Sequence, residues 1–235
     1  MDFKKLLRRN ETALIIAIVL LSVIIGAKSP EFYSLANLFD IFRSSFVQLL
    51  FALGVLVVII SGGIDVSFPV VGIFSGYSAV VLMKHFDWNP GNVMLPIALA
   101  VVIGVILGAL NSIAIASFGI PTLIATLGTS GIFRGIMLTF IGSSFISDIP
   151  AALDKFATAD LLKIQPAEGT LARLHVLIIP VVIITILVSL MLNRTMFGRS
   201  VYALGGGVEA TRRLGISIKR TQAKVYMFVG GISGL

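Results

Sequence analysis

The residues with the most chemical content lie in Ser61-Gly-Gly-Ile-Asp-Val-Ser67, where a carboxylate and two adjacent glycines interrupt apolar sequence on both sides. The glycines break a helix, and Asp65 is then set at membrane depth or at its inner edge. An ionisable residue held in a membrane is costly and often marks a transport path. A turn that places Asp65 near the start of the next helix, where the helix dipole favours a carboxylate, fits the same residues. The segment Thr126-Leu-Gly-Thr-Ser-Gly131, followed by Arg134, is a second polar interruption. Its small hydroxyl residues permit close helix packing or offer hydrogen bonds to a polar solute. Arg134 either snorkels to an interface or lines an aqueous cavity, and Asn111 has the same two readings. Ser61, Gly62, Gly63, Asp65, Asn111, Thr126, Thr129, Ser130 and Arg134 are thus the candidates for a translocation path.

The basic segment from Arg194 to Lys224 contains the sequence Val208-Glu-Ala-Thr-Arg-Arg-Leu-Gly-Ile216. Glu209 in a first turn with Arg213 four residues on favours a short helix, and Gly215 is suited to terminate it. A short helix bounded by glycines in such a loop suits docking of a soluble partner; a solvated loop that only fixes topology is the alternative. Glu209, Ala210, Arg212, Arg213 and Gly215 are the candidate docking residues.

Covalent chemistry finds no support. With no cysteine, a disulfide framework, a thiolate nucleophile and a zinc–thiolate site are all excluded. The two histidines, His85 and His175, each stand at the edge of an apolar run, so no metal site is expected. No Gly-Lys pair occurs, which rules out a Walker A loop in this chain. Gly205-Gly-Gly-Val-Glu-Ala210 fits the alanine form of the dinucleotide fingerprint, but it lacks the strand and βαβ unit that the fingerprint requires. An enzyme reading therefore has no residues to stand on.

What must position these segments is a set of membrane helices. The chain is 57% hydrophobic and only 12% charged, well outside the range of a soluble domain. Apolar runs at residues 12–27, 44–60, 68–83, 93–118, 121–141, 174–192 and 224–235 approach or reach the roughly 20 residues needed to cross a bilayer. The expected fold is all-α: one polytopic bundle of about six to seven transmembrane helices. The net charge of +7 is concentrated at Lys4 to Arg9 and Arg194 to Lys224. Six crossings between these segments put both in the cytoplasm with the amino terminus, as the positive-inside rule requires. No aromatic residues are interleaved with the bases, which argues against nucleic acid. Four Gly-x-x-x-Gly pairs, Gly72/Gly76, Gly104/Gly108, Gly131/Gly135 and Gly230/Gly234, predict close helix contacts. Residues 226–235 supply about half a span, so the chain reads as part of a longer protein.

Several motifs together carry a resemblance. The Glu209-Ala210 pair followed by Gly215 resembles the Glu-Ala-Ala…Gly coupling loop of ATP-binding-cassette importer permeases, with Thr211 in place of the second alanine. Ser61 to Ser67, Gly119-Ile-Pro121 with Thr126 to Gly135, and Phe197-Gly-Arg-Ser-Val-Tyr-Ala-Leu-Gly-Gly206 are similar, in order and spacing, to the ribose/xylose/arabinose-type permease family. Phe68-Pro69 departs from that family, which generally has a small residue and a glycine there. The resemblance implies a permease subunit that translocates a monosaccharide. Its partners would be a cytoplasmic ABC ATPase, an extracytoplasmic sugar-binding protein and a second permease copy, identical or similar, in a bacterial-type inner membrane. It implies no cofactor on this chain, ATP and Mg being used by the ATPase. Two other classes fit the residues: an ion-coupled secondary transporter of a small polar solute with Asp65 as its ion site, and an inactive permease fragment.

Overall fold

The computed structural model describes residues 10–142, 144–165 and 170–235. The basic segment Lys4 to Arg9, considered above, lies outside them. Most of the described residues are helical. In chain order they form α1 (Asn10–Lys28), a 3-10 turn (Pro30–Tyr33), α2 (Leu35–Ile60), α3 (Phe68–His85) and α4 (Met94–Ser112). There follow α5 (Thr122–Ile136), α6 (Ala151–Ala157), strands β1 (Asp160–Ile164) and β2 (Ala172–His175), α7 (Ile178–Arg194), α8 (Met196–Gly206), α9 (Val208–Arg213) and α10 (Ile218–Ser233). Single π turns, Ile113–Ser117 and Met137–Ile141, extend α4 and α5.

Among the described residues, four helical stretches are long and apolar enough to cross a membrane: Leu35–Ile60, Phe68–His85, Met94–Ser117 and Thr122–Ile141. The pair α7 and α8 makes a fifth if its two helices, bent by 71°, count as one span. The first apolar run, residues 12–27, lies within α1. The last is a 16-residue helix that opens on Lys219, Arg220 and Lys224, which lowers its hydropathy. Strand β2 and the turn after it precede α7, so this helix starts at Ile178 rather than at 174.

Two compact units make up the described residues. One comprises the stretch up to Ser45 together with Asp160–Ile178. Within it α1 is apolar on every side, with Leu14, Ile15, Val23 and Ile24, spread round the helix, all exposed, as expected of a helix in hydrocarbon. The Tyr33 hydroxyl donates to the Ser22 carbonyl at 3.0 Å and so ties the 3-10 turn back onto α1. Strands β1 and β2 pair antiparallel, with Lys163 opposite Arg173 and Ile164 opposite Ala172. Its strands are only five and four residues long, too short for a periodic signal, although Pro166 and Gly169 between them are turn-forming residue types.

The other unit, Phe46–Ala159 with Ile179–Leu235, holds the main core. Val57 and Val58 of α2, Val188 and Leu192 of α7, Val201 of α8, and Val225, Tyr226 and Val229 of α10 form its buried centre. Lipid tails are as apolar as these side chains, so packing rather than the hydrophobic effect must hold membrane helices together. The backbone of α10 lies directly on that of α4. A Cβ on Gly104 would strike the Gly230 carbonyl, one on Gly108 the Tyr226 carbonyl, and one on Gly234 the Ala100 carbonyl. Two of the four Gly-x-x-x-Gly pairs thus face each other in an antiparallel contact. A Cβ on Gly72 would lie 2.8 Å from the Ser233 carbonyl oxygen, whereas one on Gly76, Gly131 or Gly135 would meet nothing within 4 Å outside its own helix turn.

At the opposite end from the Ser61–Ser67 break, Lys84 pairs with Asp148 at 3.3 Å, with the carboxylate 89% exposed. A pair so open to water contributes at most about 1 kcal/mol. Lys84→Ala is therefore expected to leave the midpoint of thermal unfolding in detergent unchanged within error.

Candidate functional site

The site is built where four chain segments meet at one end of the bundle. Helix α2 stops at Ile60, and Gly62 takes a left-handed φ of +82° that only glycine adopts without strain. The chain then runs extended for several residues before α3 begins, with Pro69 tolerated in the first turn of that helix. Backbone groups in an extended stretch need partners when buried, and neighbouring helices supply them. The Ile64 N–H donates to Thr122 Oγ1 at 3.0 Å, and the Val66 N–H donates to Thr126 Oγ1 at 3.3 Å, both on α5.

Asp65 is 6% exposed, and its Oδ1 accepts from both the backbone N–H and the hydroxyl of Ser67, each at 2.7 Å. Asn111 of α4 donates from Nδ2 to Ser67 Oγ at 2.7 Å. Asp65, Ser67 and Asn111 therefore form one buried chain of hydrogen bonds across the start of α3. The carboxylate caps that helix start from two residues upstream. Asn111 Oδ1 is buried without a partner among the described residues.

Of the path candidates, the structure brings together Gly63, Asp65, Asn111 and Thr126. Ser61 turns away, donating to the Val58 carbonyl of its own helix at 2.7 Å. Gly62 is exposed. Thr129 is half-buried and bonds to the Ala125 carbonyl one turn back. Ser130 is also half-buried, and Arg134 is exposed. At 1.5 Å per residue Arg134 lies about 12 Å further along α5 than Thr126, away from the break.

The basic loop begins with a fold-back that its sequence did not disclose. Thr195 Oγ1 accepts from the Gly198 N–H at 3.1 Å, capping α8, and donates to the Met191 carbonyl of α7 at 2.6 Å. A Cβ on Gly198 would strike the Leu192 carbonyl, so only glycine permits the bend. Thr-x-x-Gly after an apolar run was the signal available. At the far end of α8, Gly205 lies against the end of α2, and a Cβ there would strike the Ile60 carbonyl. One on Gly63 would sit 2.9 Å from the Tyr226 hydroxyl of α10.

Helix α9 then projects from α8. Glu209, Ala210, Arg212 and Arg213 are exposed, and Glu209 pairs with Arg212 at 3.0 Å, three residues on, rather than with Arg213. Gly215, at φ +72°, closes the helix in a Schellman motif: its N–H reaches the Arg212 carbonyl, and that of Ile216 the Thr211 carbonyl. Thr211, at the position where the family resemblance expects alanine, is fully buried. Its hydroxyl lies 2.7 Å from the Ala203 carbonyl and 2.8 Å from that of Gly207. It locks α9 onto α8. Thr211→Val is expected to cost about 1 kcal/mol through the lost bonding and to raise protease cleavage at residues 207–217 several-fold. Thr211→Ser should restore protection.

No cluster of three or more metal-ligating side chains occurs among the described residues. The arrangement is a bundle with an interrupted helix at one end, braced by a surface helix whose polar face is free. That is the architecture of a membrane permease, and the chain is a multi-pass protein of a bacterial-type inner membrane.

The sequence belongs to the family described as branched-chain amino acid transport system / permease component, which it matches over residues 37–235. Among its relatives is the autoinducer 2 import system permease protein LsrC of Salmonella typhi, 32% identical over 229 residues. Proteins of the same name from Klebsiella pneumoniae subsp. pneumoniae and Yersinia pseudotuberculosis serotype O:1b are 33% and 32% identical over 227 residues. Each alignment covers 97% of this chain and 60–62% of the relative. No solved structure matches the chain significantly.

Proposed function

We propose that this chain is the membrane-spanning permease subunit of an ATP-binding-cassette importer, carrying a small polyhydroxylated solute into the cell. The names of its relatives point to an autoinducer 2 type of signal, and the motif resemblance set out above to a monosaccharide. An extracytoplasmic binding protein delivers the solute, and a cytoplasmic ATPase supplies ATP and Mg chemistry that this chain lacks. A second permease copy, identical or similar, completes the membrane pathway.

The observation that carries the reading is the mechanical continuity between α9 and the break at residues 61–67. Thr211 fixes α9 to α8, and Gly205 of α8 lies directly on the end of α2 where the break begins. A push on the free face of α9 therefore reaches Asp65, Ser67 and Asn111 through backbone contacts with little slack. Glu209, Ala210, Arg212 and Arg213 present that face to the ATPase. Asp65, Asn111 and Thr126, with Gly63, form the inner end of the path. Closing the ATPase would shift this junction and switch the bundle between outward- and inward-facing states. No bond in the solute is made or broken.

Gly215→Asp tests the docking role. A side chain at φ +72° costs about 1–2 kcal/mol, and the added carboxylate stands beside the docking arginines. Uptake is expected to be lost while the protein remains in the membrane fraction. Normal uptake by that variant would remove α9 from the mechanism.

A further inference from the structure

A groove of about 590 Å³ opens between α9, the first turn of α10 and the turn that joins α4 to α5. Its walls have two characters. Ile115, Ile120 and Ile216 supply apolar lining, and Arg212 and Lys219 supply cations. No carboxylate lines it; Glu209, which pairs with Arg212, stands outside. A soluble anion would gain nothing from the isoleucines, and a neutral acyl chain nothing from the cations. An amphiphile with a phosphate head uses both.

We infer that this groove is a binding site for an anionic phospholipid, its phosphodiester held by Arg212 and Lys219 and an acyl chain laid along Ile115, Ile120 and Ile216. Basic pockets between helices at the cytoplasmic surface favour such headgroups. Arg212 lines the groove and also belongs to the face offered to the ATPase, but the lipid site itself does not depend on the importer reading. A bound lipid would wedge α9 against the α4–α5 turn and so stiffen the loop.

The test is native mass spectrometry of the full chain released from micelles containing equal phosphatidylglycerol and phosphatidylcholine. The wild-type chain should retain phosphatidylglycerol over phosphatidylcholine by about tenfold. Arg212→Gln with Lys219→Gln should abolish the preference, and Ile120→Asn should weaken retention of the lipid. Arg194→Gln, an exposed cation of the same basic segment outside the groove, should leave it intact. Equal retention of the two lipids, or an equal loss with Arg194→Gln, would overturn the assignment. Displacement of phosphatidylglycerol by soluble glycerol phosphate would also overturn it, since the groove would then be a phosphate site without lipid specificity.

Discussion

Leucine at Gly104 or at Gly230 is expected to abolish the folded bundle. Each of these glycines faces the other's carbonyl, with no room even for a Cβ, and Gly230 would set its Cβ 3.0 Å from the Gly108 Cα. Backbone cannot move aside as a flexible side chain can. Overpacking usually costs about 1–3 kcal/mol where side chains can adjust, and here the obstacle is the main chain on both sides. The helix pair α4–α10 would have to separate, opening the core around Val225, Tyr226 and Val229. Size-exclusion profiles after heating in mild detergent should show Gly104→Leu and Gly230→Leu aggregating well below the wild-type temperature. Gly131→Ala and Gly135→Ala should match wild type within about 0.5 kcal/mol, because a Cβ at either position would meet nothing within 4 Å outside its own helix turn. Equal damage from both sets would mean that α4 and α10 do not meet through their glycines.

The second large effect concerns Asp65. Its Oδ1 holds both the N–H and the hydroxyl of Ser67, and Ser67 in turn accepts from Asn111. Asp65→Leu would leave the Ser67 donors buried without an acceptor, at about 1–3 kcal/mol for each orphaned group. The start of α3 would loosen, and the contacts of Ile64 with Thr122 and Val66 with Thr126 would loosen with it. Uptake is expected to fall by about tenfold or more. Asp65→Asn keeps an oxygen in the same position and is expected to retain most transport. If the asparagine variant is as inactive as the leucine variant while still folded, the charge itself is required and Asp65 is more than a cap.

How much of this was legible in the sequence depended on the range of the interaction. The membrane class and the order of the apolar runs follow from composition and span length, which are properties of each segment alone. The break at Gly62 and Gly63 and the short helix ended by Gly215 were also local, each marked by glycines at positions of special backbone geometry. What the residues could not disclose was partnership. Four Gly-x-x-x-Gly pairs look equivalent in sequence, yet only two of them meet across α4 and α10. Thr129, Ser130 and Arg134 share a segment with Thr126, but helix geometry carries them away from Asp65. Thr211 looked like a departure from a family pattern and proves to be the lock between α8 and α9. The ribbon of β1 and β2 was invisible because its pairing joins short, charged strands across an intervening loop.

The central claim is that α9 is where a separate ATPase engages the bundle. The chain contains no cysteine, so Ala210→Cys introduces a single thiol on the exposed face of that helix. It can be labelled in native membranes with a photoactivatable cross-linker. The account predicts one cross-linked cytoplasmic partner that carries a Walker A motif, with a yield that changes on adding ATP and Mg. Absence of any such partner, together with uptake that a protonophore stops while ATP stays high, would contradict it and make the chain an ion-coupled transporter.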